Sequence, residues 1–192
     1  MSLSELDDYR SQFAAIAEQA GELAAGLDEE RFNWRPAPEK WSIEECLGHL
    51  VVVGQQRVRV LEEGIRRGRE RRLTGEGPFT YGPVERWFVR LTEPPPRLRV
   101  SAPRRFRPQH GQPVTAVLPT FLHLQSQLMA QADAARGLDL RRIKVASPVS
   151  RWLRMSLGMA LAQAAAHERR HLEQARRVLD ELNRAGAAPS AG

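Results

Sequence analysis

Apolar residues recur at steps of three and four along four separated stretches of this chain, and that spacing predicts helices rather than strands. In residues 4–27 the stripe is Leu6, Tyr9, Phe13, Ile16, Ala20, Leu23 and Leu27. A turn-like Asp28-Glu29-Glu30 follows. Residues Phe32 to Trp41 then hold two prolines and two tryptophans. Proline fixes φ and lowers the entropy lost on ordering, so this segment is expected to be a packed loop. Ser42-Ile43-Glu44-Glu45 opens a second helix, with Ser42 as N-cap and Glu45 at the capping-box position. Its stripe is Ile43, Cys46, Leu47, Leu50, Val53, Val58, Leu61 and Ile65, and it fades between Gly64 and Arg72.

The pattern breaks over residues 68–113, where eight of the 13 prolines lie between Pro78 and Pro113. A short helix is expected over Val84 to Leu91, with Trp87, Phe88 and Leu91 available to pack. The rest is a long crossover. Such a connection lets the next helix run parallel to the previous one, and its length points to a functional role. The third helix is expected over Val114–Arg136, with Val117, Leu118, Phe121, Gln125, Leu128 and Ala132 on its stripe. Gly137 to Pro148 is expected to be a linker. The fourth helix, from about Trp152 to Arg184, carries Leu157, Ala160, Ala164, His167, His171, Val178 and Leu182. No strand pattern or internal repeat stands out. The sum is an all-α four-helix bundle with a long crossover between helices 2 and 3. It is expected as a single domain over 1–184, with 185–192 a frayed tail.

Composition narrows the class. A chain of 192 residues fits one domain and buries roughly 70% of its unfolded surface, so it needs no disulfide or metal merely to fold. The single cysteine, Cys46, excludes an internal disulfide and suggests a reducing compartment. Met1 to Tyr9 is acidic and lacks the apolar core of a signal peptide. The apolar window Met155 to Ala166 is too short to span a membrane. A cytoplasmic protein is the expectation. The net charge of +6 raises the question of nucleic acid. Of the 29 basic residues only Lys40 and Lys144 are lysines, and the arginines are scattered as doublets among glutamates. No aromatic interleaving suggests a base-stacking platform, so nucleic acid is not the expected partner and the charge reads as a solvated surface.

The histidines carry the candidate chemistry. His167 and His171 stand four residues apart on an apolar helical stripe. On one helix face their Cβ atoms lie roughly 5–6 Å apart, close enough for both rings to meet one ion at about 2.0–2.1 Å. Buried separately, each would need its own polar partner. His49 lies inside the second helix on the face of Cys46, Val53 and Gln56, and it supplies a third ligand if the second and fourth helices are neighbours. Three histidines leave a coordination position open for water or substrate, as in catalytic sites. Bound water or thiol there loses its proton more readily. His123 falls off its helix's stripe and reads as a surface residue. His110 lies in the Pro-rich loop, where it could sit near the site entrance. Cys46 reads as a small core residue.

His167-Glu168-Arg169-Arg170-His171 also matches H-E-x-x-H, in which the glutamate is a general base. Gln174 stands where a longer zinc-protease motif would have glycine. The expected fold offers no sheet to line a protease cleft, and little chain follows His171 to supply a third ligand. Glu168 remains the candidate catalytic residue, as a base or as a group that orients a ligand, unless it turns outward. Gln174 shares the His171 face and is the candidate supporting partner.

Two segments together resemble the DinB/YfiT-like superfamily. Trp34-Arg35-Pro36-Ala37-Pro38-Glu39-Lys40-Trp41-Ser42 followed by Gly48-His49-Leu50 is similar to its "P-x-x-K-W-S … H-L" segment. His167 to Gln174 is similar to its "H-x-x-x-H-x-x-Q". The resemblance implies a four-helix bundle with a divalent metal ion, nickel or zinc, on His49, His167 and His171. It also implies dimers. Its characterised branches include transferases that use a low-molecular-weight thiol, such as bacillithiol or mycothiol, and a maleylpyruvate isomerase. The expectation is a metal-dependent transferase or hydrolase acting on a small molecule. The alternative is a non-catalytic bundle that binds a metal or ligand through a closed site.

Overall fold

A computed structural model describes residues 4–95, 102–147 and 153–187. Four long helices form the bundle: α1 (Glu5–Ala24), α3 (Ile43–Glu70), α5 (Val114–Ala134) and α6 (Leu157–Ala187). Between α1 and α3 the turn-like acidic stretch is a short helix, α2 (Glu29–Asn33), capped by the Asp28 side chain on the Arg31 N–H. The crossover carries α4 (Pro83–Thr92) and a 3₁₀ turn over Arg104–Phe106.

The helix starts follow from local chemistry. Ser4 and Ser42 each close a capping box, with Asp7 and Glu45 as the reciprocal partners. Each box satisfies two N–H groups that a helix end otherwise leaves open. The predicted stripes face inward. Leu6, Tyr9, Phe13, Ile16, Ala20 and Leu23 of α1 are buried, as are Ile43, Cys46, Leu47, Leu50, Val53, Val58, Leu61 and Ile65 of α3.

Specific contacts fix the helix directions. Arg69 donates to the Ala134 carbonyl, and Gly54 lies against Leu124, so α3 and α5 run parallel. This is the arrangement a long crossover permits. Arg136 reaches Asp7, and Arg10 reaches Asp133, so α1 and α5 run antiparallel. α1 packs on α5 and α6, and α3 packs on the same two helices. The helices bearing His49 and the histidine pair are therefore neighbours. Tyr81 anchors the crossover by donating to Glu5 Oε1 at 2.6 Å. It enters over Gly158, where a Cβ would lie 1.9 Å from the Tyr81 hydroxyl.

Three expectations need correction. The linker after α5 is not simply a linker: β1 (Lys144–Ala146) pairs antiparallel with β2 (Arg154–Ser156), in the register Lys144↔Ser156, Val145↔Met155 and Ala146↔Arg154. Three-residue strands are too short to show an alternation in sequence. The fourth helix starts at Leu157, after β2; Trp152 lies outside the described residues. Trp87 of α4 does not pack, being 61% exposed. The second helix runs on to Glu70 and the fourth to Ala187, while 188–192 lie outside the described residues. No helix among the described residues is long and apolar enough to cross a membrane.

Candidate metal centre

His49 of α3 and His167 and His171 of α6 come together, with one ligand nitrogen of each within 4.8 Å of the others. The ring centroids lie 4.6 Å (His49–His171), 4.7 Å (His167–His171) and 5.3 Å (His49–His167) apart. Nitrogens about 2.0–2.1 Å from a shared ion in tetrahedral geometry lie about 3.3 Å apart, so side-chain rotation within the cluster closes it on an ion. His49 is buried, while His167 and His171 keep partial exposure, so the cluster opens on the α6 side. Among the described residues this is the one group of three or more His, Cys, Asp or Glu side chains with such convergence.

Two rings are fixed by hydrogen bonds that decide which nitrogen carries the proton. His49 Nδ1 lies 2.7 Å from the Phe106 carbonyl, which can only accept, so Nδ1 carries the proton. His171 Nδ1 donates to Gln174 Oε1 at 3.1 Å. In both rings Nε2 is left with its lone pair free, which is the form a metal ion takes. Trp41 walls the cluster, its ring 5.0 Å from His49 and 5.8 Å from His171. The crossover approaches His49 closely because residue 48 is glycine; a Cβ there would lie 3.2 Å from Pro108 Cβ.

The electrostatics keep these rings neutral. Burial pushes His171 down to about 3, helped by His49 and Arg170. His167 is held well below the usual imidazole range by burial, then by Arg57 and the other two histidines. His49 is lowered by burial and Arg57, against the Phe106 carbonyl, which favours the charged ring. Neutral imidazoles are competent donors without a proton to displace.

Glu168 does not turn outward. It is 3% exposed and turns into the bundle toward Arg57 of α3 and Gln125 of α5. Burial raises its carboxyl to about 7 against the pull of Arg57. Arg57 is lowered to about 10 by the same loss of water. Arg57 Nη1, both Gln125 amide atoms and Glu168 Oε2 complete no hydrogen bond with described protein atoms. Three helices thus each place a buried polar side chain in one region beside the histidines. The sequence offered a partial signal in Gln125, a polar residue on an apolar stripe. Arg57 carried none: Gln56 was expected on the His49 face, yet Gln56 is half-buried and Arg57 is buried.

The remaining candidates fall elsewhere. Cys46 is fully buried in the core, its thiol pushed up by burial and by Glu45 and Glu44. His123 is exposed. His110 sits at the start of α3, with Nδ1 3.6 Å from Glu45 and 3.9 Å from Glu44. Arg169, between the two histidines, points away from them and binds Glu93 and Gln12.

A family profile described as the DinB superfamily matches residues 12–175. The chain belongs to the DinB superfamily. Its helical architecture, with only a two-stranded ribbon beside the bundle, is that of an all-α DinB fold. It is also similar to the uncharacterized protein YuaE of Bacillus subtilis (strain 168), at 24% identity over 161 residues, covering 83% of this chain and 90% of that protein. No solved structure matches the chain.

Proposed function

We propose that the chain is a metal-dependent enzyme, a transferase or hydrolase acting on a small molecule, with His49, His167 and His171 holding a divalent nickel or zinc ion. The observation that carries this reading is the convergence of three neutral imidazoles from two helices, two of them with Nδ1 engaged elsewhere and Nε2 left free. All-imidazole donor sets suit zinc, nickel and copper more than calcium or magnesium. A bound ion of this kind supplies Lewis-acid activation of a water molecule or a low-molecular-weight thiol.

The residues of the chain do the rest. The Phe106 carbonyl and Gln174 hold two ligands in one tautomer. Trp41 closes one wall and excludes water from it. The partly exposed His167 and His171 edge is the side from which a small molecule enters. Glu168, with its carboxyl raised to about 7, has a proton affinity suited to exchange near neutral pH. Its distance from solvent and its nearness to Arg57 favour a role in setting the charge of the site. The reducing compartment suggested by the lone Cys46 suits a thiol cosubstrate.

Metal analysis of tag-free protein tests the ligand set. The parent is expected to carry close to one nickel or zinc ion per chain, and His49→Ala and His171→Ala to lose most of it. Unchanged metal content in both variants would overturn the assignment. Turnover of an electrophile in the presence of a low-molecular-weight thiol, absent from the same variants, then tests the activity.

A further inference from the structure

A second concave site lies at the opposite end of α3. His49 and Gly64 are separated by roughly 22 Å along the helix axis at about 1.5 Å per residue. Arg67 of α3, Arg71 at its C-cap, Arg142 before β1, Lys144 in β1 and Arg154 in β2 line a groove of ≈ 460 Å³. That volume falls in the range of about 300–1,000 Å³ found for small-molecule sites.

The cations converge because of two glycines. A Cβ at Gly64 would lie 2.3 Å from Val145 Cγ1, and one at Gly68 would lie 2.3 Å from Ile143 Cδ1. Their absence lets the β-ribbon press onto α3. The strand pairing sets Lys144 and Arg154 on adjacent strands, where Arg154 Nη2 donates to the Lys144 carbonyl at 3.1 Å. No carboxylate lines the groove. Glu63 meets Arg67 only at 3.6 Å, and Glu85 meets Lys144 at 3.4 Å while accepting a 2.6 Å bond from the Ser156 N–H. The side chains of Arg71, Arg142 and Arg154 form no ion pair among the described residues, and the Asp139 carboxylate takes the Arg142 backbone N–H at 2.9 Å. Some surface arginines elsewhere pair, Arg66 with Glu63 and Glu70, Arg136 with Asp7 and Asp133, Arg177 with Glu173; others such as Arg59 and Arg176 stand apart on open surface, and what distinguishes the groove is that its cations converge on one concavity. Five cations with only two carboxylates paired beside them repel one another and cost stability. An anion with several oxygens removes that repulsion, and guanidinium forks match phosphate oxygens two at a time.

We propose that this groove binds a small molecule bearing a di- or triphosphate chain. Leu73, half-buried in the groove lining, offers an apolar surface to the organic part of such a ligand. A concavity of this size favours a small ligand over a nucleic-acid duplex, which needs an extended basic stripe.

Calorimetric titration of the parent protein with inorganic tripolyphosphate, at about 0.15 M salt to screen diffuse attraction, tests the site. Saturable binding of one ligand per chain is expected. Arg142→Ala/Arg154→Ala weakens it by about tenfold or more, the loss of at least one charge-assisted contact. Arg59→Ala/Arg176→Ala removes the same charge from exposed positions elsewhere and leaves binding unchanged. His171→Ala, altered at the histidine cluster, also binds as the parent does. Titration with ATP reads whether a nucleoside adds affinity to the phosphates. Four results overturn the proposal: no saturable binding, equal weakening in both double variants, loss of binding in His171→Ala, or displacement of tripolyphosphate by a short DNA duplex that binds more tightly.

Discussion

Arg57, Gln125 and Glu168 meet inside the bundle with polar atoms that find no protein partner. Arg57 and Glu168 attract each other through space without closing an ion pair, so removing either costs less than the about 3–5 kcal/mol of a broken buried salt bridge, about 1–3 kcal/mol. Arg57→Met and Glu168→Gln are each expected to destabilise on that order. The double variant is expected to lose about 1–3 kcal/mol less than the sum. Urea denaturation of the four proteins reads the coupling, and strict additivity would show that the two charges do not sense each other. Glu44 makes a separate case. It is fully buried, neither carboxylate oxygen completes a hydrogen bond, and the Gly111 N–H approaches without closing one. Burial and then Glu45 raise its carboxyl from 4.5 to about 7, against Gly111 and Arg35; His110 also faces it, at 3.9 Å. Below pH 4.5 both folded and unfolded chains hold the proton. Between there and pH 7 only the folded chain keeps it, so stability falls as pH rises, by about 3 kcal/mol in all. Glu44→Gln is expected to remove this slope, gaining on the parent between acidic and alkaline pH. Identical pH profiles of urea stability for the two proteins would rule this out.

Among the elements, α3 carries the most constraint. Its start is a capping box, its middle presents His49, and its end takes the β-ribbon against Gly64 and Gly68. Gly→Ala inside a helix normally stabilises by up to about 1 kcal/mol. At Gly64 the added Cβ would meet Val145 at 2.3 Å, and overpacking of that kind costs about 1–3 kcal/mol. Gly64→Ala is therefore expected to destabilise, and trimming Val145 to alanine in the same chain to restore part of the loss. A Gly64→Ala protein more stable than the parent in chemical denaturation would show that the ribbon yields freely.

Across the molecule, the crossover couples the fold to the site. Phe106, reached only after the long excursion from α3, buries its ring in the core and turns its carbonyl onto His49. Phe106→Ala is expected to cost about 3–5 kcal/mol for the lost ring. The carbonyl stays, but it loses the buried ring that seats it against His49, so zinc or nickel binding is expected to weaken, by no more than the about 10–100-fold that outright loss of such a partner costs. Competition with a chelator measures this. Equal affinity in parent and variant would mean that His49 holds its place without the crossover.

The amino-acid sequence determined what local periodicity encodes. The stripes of α1, α3, α5 and α6, the Ser42 cap and the shared face of His167 and His171 all rest on side chains a few residues apart, and each is found where the spacing placed it. His49 was legible because a polar ring on an inward stripe needs a partner. Other features depended on segments far apart in the chain. The β-ribbon pairs strands too short to show a period, and its seat on α3 appears as glycine only because of what arrives from residues 143–145. A backbone carbonyl such as that of Phe106 has no sequence signature at all. Whether Glu168 faced solvent or Arg57 was undecided by its place between two histidines, because helix rotation is set by packing against α3 and α5. Tertiary structure alone decided those contacts, since their energy comes from burial between neighbours that the chain brings together only when folded.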